Sequence, residues 1–142
     1  MSRTLRIGLL GCGTVGTGIL RLLHDNASMI EGRLGGHIEI TRIAVRDPKK
    51  VRDQVVSPRI VTDDAMNVVR DPQIDIVVEV MGGLEPAGSL LRAALEQGKH
   101  VVTANKALLA EKGDELLQKA EAGGVDLYFE AAVAGGIPII RV

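Results

Sequence analysis

Aromatic side chains are almost missing from this chain: Tyr128 and Phe129 are the whole complement, and there is no tryptophan. A core must therefore be built from valine, isoleucine, leucine and alanine, and a bound heterocycle would rest on aliphatic groups with little aromatic stacking. Cysteine is as scarce. Cys12 stands alone, which excludes an internal disulfide and a cysteine cluster for zinc. It reads as a small, inert loop residue, because a reactive thiol needs surroundings that favour the thiolate. His24, His37 and His100 are scattered without metal-ligand spacing and read as surface or packing residues. The formal net charge is −1, so no basic footprint points to nucleic acid or to an anionic membrane. No apolar run is long enough to cross a bilayer. The opening MSRTLRIGLLGCG lacks the longer apolar segment and cleavage site of a secretory signal, and a cytoplasmic location is expected.

What is present is a regular alternation. The 142 residues, 46% apolar and 25% charged, suit one domain with a sizeable core. LRIGLL (5–10) is a short apolar run closed by Gly11, as in a strand buried on both faces. Apolar residues at helical spacing then predict a helix over 14–30, broken by EGRLGG (31–36). HIEITRIAV (37–45) alternates as a strand, Asp47-Pro48 ends it, and KKVRDQVV (49–56) reads as a short helix. RIVT (59–62) reads as a short strand, with a short helix opening near Asp63 and Asp64. IDIVVEV (74–80) predicts a further buried strand, in which Glu79 must be hydrogen-bonded or protonated; it reads as a structural acid. Pro86 suits the first turn of a helix over 86–97, which Gly98 ends. HVVTA (100–104) is another strand, Asn105 a helix N-cap, and Gly123-Gly124 the stop of that helix before a last strand at 125–131. The fold class is therefore α/β: a Rossmann-type doubly wound parallel sheet with helices on both faces.

The chemistry is concentrated at three strand ends. Gly11, Gly13 and Gly16 form G-x-G-x-x-G between a predicted strand and a predicted helix, the context that the dinucleotide fingerprint requires. Gly11 permits the tight turn, Gly13 lets the backbone approach a pyrophosphate, and Gly16 allows close helix packing. Helix-start amides and the helix dipole then favour the phosphate charge. Cofactor choice falls to the end of the second strand, where Arg46 comes first, followed by Asp47, Lys49 and Lys50. An arginine there accommodates a 2′-phosphate, so NADP is expected, with NAD tolerated; the alternative is a solvated strand-end charge. Lys106 follows Asn105 at a helix start, where a cation is unfavourable by roughly 0.3–1 kcal/mol unless an anion lies close. It faces the ligand crevice or is a flexible surface lysine.

GLLGCGTVGTG, VVEVMGG, GKHVVTANKALLA and YFEAAVAGGIPI together resemble the nucleotide-binding part of homoserine dehydrogenase. The resemblance runs from about Leu5 to the last residue, and its later segments are far more specific than the glycine turn. It implies NAD(P)H-dependent interconversion of L-homoserine and L-aspartate 4-semialdehyde, in the branch towards threonine, methionine and isoleucine. It also implies that Cys12, Gly13, Thr14 and Val15 line the pyrophosphate, that Arg46 meets the 2′-phosphate, and that Lys106 lies near the nicotinamide. A sodium ion would be held by the Glu130 carboxylate and by backbone carbonyls among Val133, Gly135 and Ile137, an all-oxygen set suited to a hard cation. From the residues alone, Glu130 reads more simply as a strand-end carboxylate satisfied by amides. The dinucleotide-binding domain is expected over 1–135, with 136–142 opening the connection to a substrate domain. The resemblance places the catalytic acid–base residues in that domain, beyond Val142, and none within the chain. The apolar tail IPIIRV, with Ile137, Ile139, Ile140 and Val142, suggests a fragment, its tail either disordered or packed on a neighbouring copy, and a homo-oligomer is expected. A stand-alone nucleotide-binding or redox-sensing module, or an oxidoreductase of another type on the same fold, would share the glycine turn. Neither has an evident need for NKALLA and EAAVAGGIPI.

Overall fold

The computed structural model describes residues 2–129. Strands and helices run β1 (Arg3–Leu10), α1 (Thr14–Asp25), α2 (Ala27–Leu34), β2 (Gly36–Ala44), β3 (Val61–Thr62), α3 (Ala65–Arg70), β4 (Ile76–Glu79), α4 (Ala87–Glu96), β5 (His100–Thr103), α5 (Lys106–Gly123) and β6 (Leu127–Tyr128). The six strands form one sheet in the order β3-β2-β1-β4-β5-β6, and every pairing is parallel. Chain order reverses between β1 and β4. The crevice outside the carboxyl ends of those two strands is thus the topological switch point, where open α/β sheets bind ligands.

Burial explains the strand sequences. Leu9 and Leu10 are both fully buried, and they belong to opposite clusters. Leu10, Val77 and Val101 pack with α3, α4 and α5 on one face, through Val68, Leu91, Leu95, Leu108 and Leu116. Ile7, Leu9, Ile43 and Val78 pack on the other face, with Leu20 of α1 and Val56. The buried apolar core of the described residues is wholly isoleucine, leucine, valine and alanine, as the shortage of aromatics requires.

Several local expectations are corrected. The helix expected over 14–30 is two helices that meet at Asn26, whose side-chain amide donates to the Leu22 carbonyl at 2.9 Å. The second helix runs through the expected break and ends at Gly35 in the left-handed conformation, φ 68°. Residues 49–56 are not helical. Asp47 accepts the Lys49 amide at 2.9 Å and Asp53 the Val55 amide at 3.0 Å, so side-chain turns replace the helical ladder. In 59–62 only Val61–Thr62 is strand, behind a short 3-10 turn at Pro58–Ile60. Pro86 caps α4 from just outside it, and the strand expected over 125–131 is Leu127–Tyr128 within the described residues. The tail expected to connect to a second domain, 136–142 with Val142 at its end, lies outside the described residues.

The opposite edge of the sheet is closed by a buried cation. Lys99, 5% exposed, donates to the carbonyls of Asp71 at 2.5 Å and Ile74 at 2.7 Å. Burial pushes its ammonium pKa down, against the pull of Asp71 and Asp75. Both backbone acceptors are used internally.

Candidate nucleotide-binding site

The phosphate turn lies at the switch point. Gly11 follows β1 with φ +98°, a conformation that favours glycine, and its amide donates to the Ala44 carbonyl at 2.9 Å. A Cβ on Gly11 would stand 3.0 Å from the backbone of Val80 and Met81, so the turn rests directly on the end of β4. A Cβ on Gly16 would stand 2.7 Å from the Gly11 carbonyl oxygen. These two glycines are demanded by the fold itself. Gly13 differs: a Cβ there would meet nothing within 4 Å. Its backbone is exposed at the start of α1, beside Thr14 and Val15, and no side chain caps that helix. The first turn of α1 holds no acidic residue either. Open space above a glycine and helix-start amides with no side-chain partner fit a bound phosphate. Cys12 is half-buried in the same turn, its Sγ 3.9 Å from Thr17 Oγ1.

Arg46 is exposed two residues beyond β2, with Lys49 and Lys50 exposed just after it. The neighbouring acid is engaged in its own loop, since Asp47 Oδ1 accepts the Lys49 amide and the Asp47 carbonyl accepts from Arg52 at 2.8 Å. Lys49, Lys50 and Arg52 also line a recess of about 310 Å³ with Pro48, Val51, Val56, Pro58 and Val61. The loop is tied to α1 by an ion pair between Arg21 and Asp53. That contact holds the arginine pKa up; the Val55 amide, together with the arginine, holds the carboxyl pKa down.

On the other side of the switch point, the ends of β4 and β5 are joined by a buried polar network. Glu79 is fully buried. Its Oε1 accepts the amides of Met81 at 2.8 Å and Gly82 at 3.0 Å, and its Oε2 accepts the Thr103 hydroxyl at 2.6 Å. Thr103 Oγ1 in turn accepts the Asn105 amide at 3.1 Å. The Asn105 side chain accepts the Leu108 amide at 3.1 Å, capping α5, and donates to the Gly83 carbonyl at 2.6 Å. Glu79 is the hydrogen-bonded structural acid that its place in an apolar run required. Lys106, the first residue of α5, is exposed. Thr103 escaped the sequence reading. A single threonine ending an apolar strand carries no signal until its register opposite Glu79 is known.

The fold therefore brings Gly11, Cys12, Gly13, Thr14, Val15 and Gly16 together at one crevice edge. Arg46 flanks it at the end of β2, and Lys106 at the end of β5. Glu130, Val133, Gly135 and Ile137, the residues assigned to sodium, lie outside the described residues, as does Val142, beyond which the acid–base residues are expected. No group of three or more His, Cys, Asp or Glu side chains placed to hold a metal occurs among the described residues. No helix among them is long and apolar enough to cross a membrane.

The profile of the family "Homoserine dehydrogenase, NAD binding domain" matches residues 11–130, from the phosphate turn to the last strand. The chain belongs to this family. Homoserine dehydrogenase of Corynebacterium glutamicum is 50% identical over 134 residues, covering 94% of this chain and 30% of the relative. That of Bacillus subtilis is 43% identical over 139 residues, covering 98% and 32%. The crystal structure of a homoserine dehydrogenase from Thiobacillus denitrificans superposes with a TM-score of 0.91 at 50% identity, over 99% of this chain and 32% of that one. A hyperthermophilic archaeal homoserine dehydrogenase in complex with NADPH shares the fold, with a TM-score of 0.80 at 23% identity over 97% of this chain and 47% of that one. The chain thus spans about a third of the length of the curated relatives it matches. Family membership favours an oxidoreductase's cofactor domain over a stand-alone sensing module.

Proposed function

We propose that this chain holds the nicotinamide dinucleotide of a homoserine dehydrogenase, with NADP preferred to NAD. One observation carries the reading: α1 starts without a side-chain cap, over a glycine whose missing Cβ leaves open space. Backbone amides from Gly13 to Gly16 would hold the pyrophosphate, with Gly11 and Cys12 shaping the turn beneath it. Arg46 would meet the 2′-phosphate, because Asp47 is engaged in its own loop while Arg46 is exposed just beyond β2. Lys106 would lie at the nicotinamide end.

The bound cofactor supplies or accepts the hydride that interconverts L-homoserine and L-aspartate 4-semialdehyde. The whole protein would do this in the cytoplasm as a homo-oligomer, for threonine, methionine and isoleucine synthesis. A sodium ion would be held by the Glu130 carboxylate and carbonyls among Val133, Gly135 and Ile137. The acid–base residues are assigned beyond Val142, to the part of the relatives that this chain does not span. The chain alone therefore binds nucleotide and turns homoserine over slowly or not at all.

Calorimetric titration with NADP and then NAD tests the reading. NADP should bind more tightly. Arg46→Ala should weaken NADP by about tenfold or more, the worth of a charge-assisted hydrogen bond, and leave NAD nearly unchanged. Equal losses would overturn the 2′-phosphate assignment, and no binding of either nucleotide would overturn the function.

A further inference from the structure

We infer that Glu79 is a positioning residue for the nicotinamide half of the dinucleotide, acting through the Met81–Gly83 loop and through Thr103 and Asn105 at the start of α5. The inference rests on the nucleotide-binding function proposed above. With the pyrophosphate at α1, between β1 and β4, the two halves of the ligand fall on opposite sides of the switch point. Arg46 and the basic loop after β2 mark the adenine side. The other half must then lie over the ends of β4 and β5.

Those two ends are fixed by one carboxylate. Glu79 and Thr103 are register partners on adjacent strands, and both are fully buried. Each Glu79 oxygen serves a different element: Oε1 holds the Met81 and Gly82 amides, and Oε2 holds the Thr103 hydroxyl. The loop cannot easily hold itself, because Gly82 and Gly83 have successive φ values of 77° and 76° and so lie in a conformation with little intrinsic preference. It is pinned from the far side by Asn105, whose side-chain amide donates to the Gly83 carbonyl. Asn105 is itself fixed by Thr103, which accepts its backbone amide. The same loop begins at the Val80–Met81 backbone on which Gly11 rests. A single buried group thus sets the glycine loop and the α5 turn bearing Lys106 in one arrangement.

A merely structural acid could be served at less cost by a neutral acceptor. A buried carboxylate with no cation among its hydrogen-bond partners is expensive to desolvate. What the carboxylate adds is a third strong acceptance that ties β5 and α5 to the glycine loop. The consequence is a directional effect on ligand binding: the nicotinamide half should feel the network and the adenine half should not.

The test compares NADP with adenosine 2′,5′-bisphosphate, which carries the adenine-side phosphates and no nicotinamide. Both are titrated into the unmodified chain and into Glu79→Gln, Thr103→Val and Asn105→Ser. Asn105→Ser keeps a capping oxygen and removes only the donor to Gly83, so it tests the tether even if Glu79→Gln fails to fold. Each folded variant should weaken NADP about three- to tenfold, the net worth of one hydrogen bond, and leave the bisphosphate unchanged. Thr103→Ser should restore NADP affinity. Equal weakening of both ligands would reduce the network to a structural one and overturn the inference, as would unchanged NADP binding in all variants. If the unmodified chain binds neither ligand, the nucleotide function itself fails.

Discussion

α1 and α5 both begin at the carboxyl edge of the sheet, each directly after a central strand, yet their first turns are opposites. α5 is sealed by its own sequence: Asn105 accepts the Leu108 amide and is buried, 5% exposed. α1 starts at Gly13, which has no side chain to accept anything, and it holds no acid in its first turn. A side-chain cap is worth only a few tenths of a kcal/mol over glycine at the same position, so α1 forgoes a little stability that α5 takes. The charges differ as well. α5 carries Lys106 at its positive end, an arrangement that favours a nearby anion, whereas α1 leaves that end for a ligand's charge. Two helix starts on one edge of the same sheet therefore show what a glycine fingerprint alone does not. Under the proposed function, the phosphate turn is the helix start that the protein leaves unfinished, next to another that it has closed.

The largest expected effect comes from damaging the turn that holds α1 in place. Gly16→Ala sets a Cβ 2.7 Å from the Gly11 carbonyl oxygen, a backbone atom that cannot rotate away. Overpacking of this kind costs about 1–3 kcal/mol. Urea unfolding should show a lower midpoint with an unchanged slope, and nucleotide binding should fall with it. An unchanged midpoint would mean that the close approach of helix and turn does not constrain the fold.

The contrast between the two helix starts was partly legible in the sequence. Asn105 before a run of strong helix formers announces a cap, and three glycines between an apolar strand and a helix announce a phosphate turn. Both signals are local: the Asn105 cap forms, and the three glycines stand between β1 and α1. Expectations failed where competing interactions were also local but mutually exclusive. Apolar residues in 49–56 suggest a helix, yet Asp53 captures the Val55 amide that a helix would bond to Val51, and the Arg52 side chain takes the Asp47 and Lys50 carbonyls. At Asn26 the helical periodicity continues through a break, because a helix follows on each side of it. The Glu79–Thr103–Asn105 network was legible only one residue at a time. Its meaning comes from the pairing of Glu79 with Thr103, which depends on strand register across a whole α4 crossover. The residues assigned to sodium, and the tail that ends at Val142, lie outside the described part of the fold, so their reading rests on the family resemblance.

A smaller effect should follow from finishing the unfinished helix. Gly13→Ser would give α1 the kind of cap that α5 has. The φ at Gly13 is negative, −85°, and the added Cβ meets nothing within 4 Å, so the side chain has room. Stability should be unchanged or rise by a few tenths of a kcal/mol, about the difference between glycine and serine at a cap. NADP affinity should fall about tenfold or more, because the hydroxyl takes the amides and the space that the pyrophosphate would use. Calorimetry alongside urea unfolding separates the two readouts. A loss of stability with retained binding would reverse the reading of the two helix starts.

The smallest effect belongs to the charge on the closed helix. Lys106→Met removes an exposed cation from the positive end of α5 and keeps the length and helix propensity of the side chain. Without ligand the variant should be more stable than the parent by roughly 0.3–1 kcal/mol at low ionic strength, and salt should erase the difference. With NADP present the difference should shrink, because the pyrophosphate proposed at α1 would bring negative charge to the same edge of the sheet. The comparison is internal to one pair of proteins: unfolding midpoints with and without nucleotide, at low and high salt. If Lys106→Met is less stable than the parent in the absence of ligand, the lysine is held by the protein itself. α5 would then be closed in charge as well as in hydrogen bonding, and only α1 would face the cofactor.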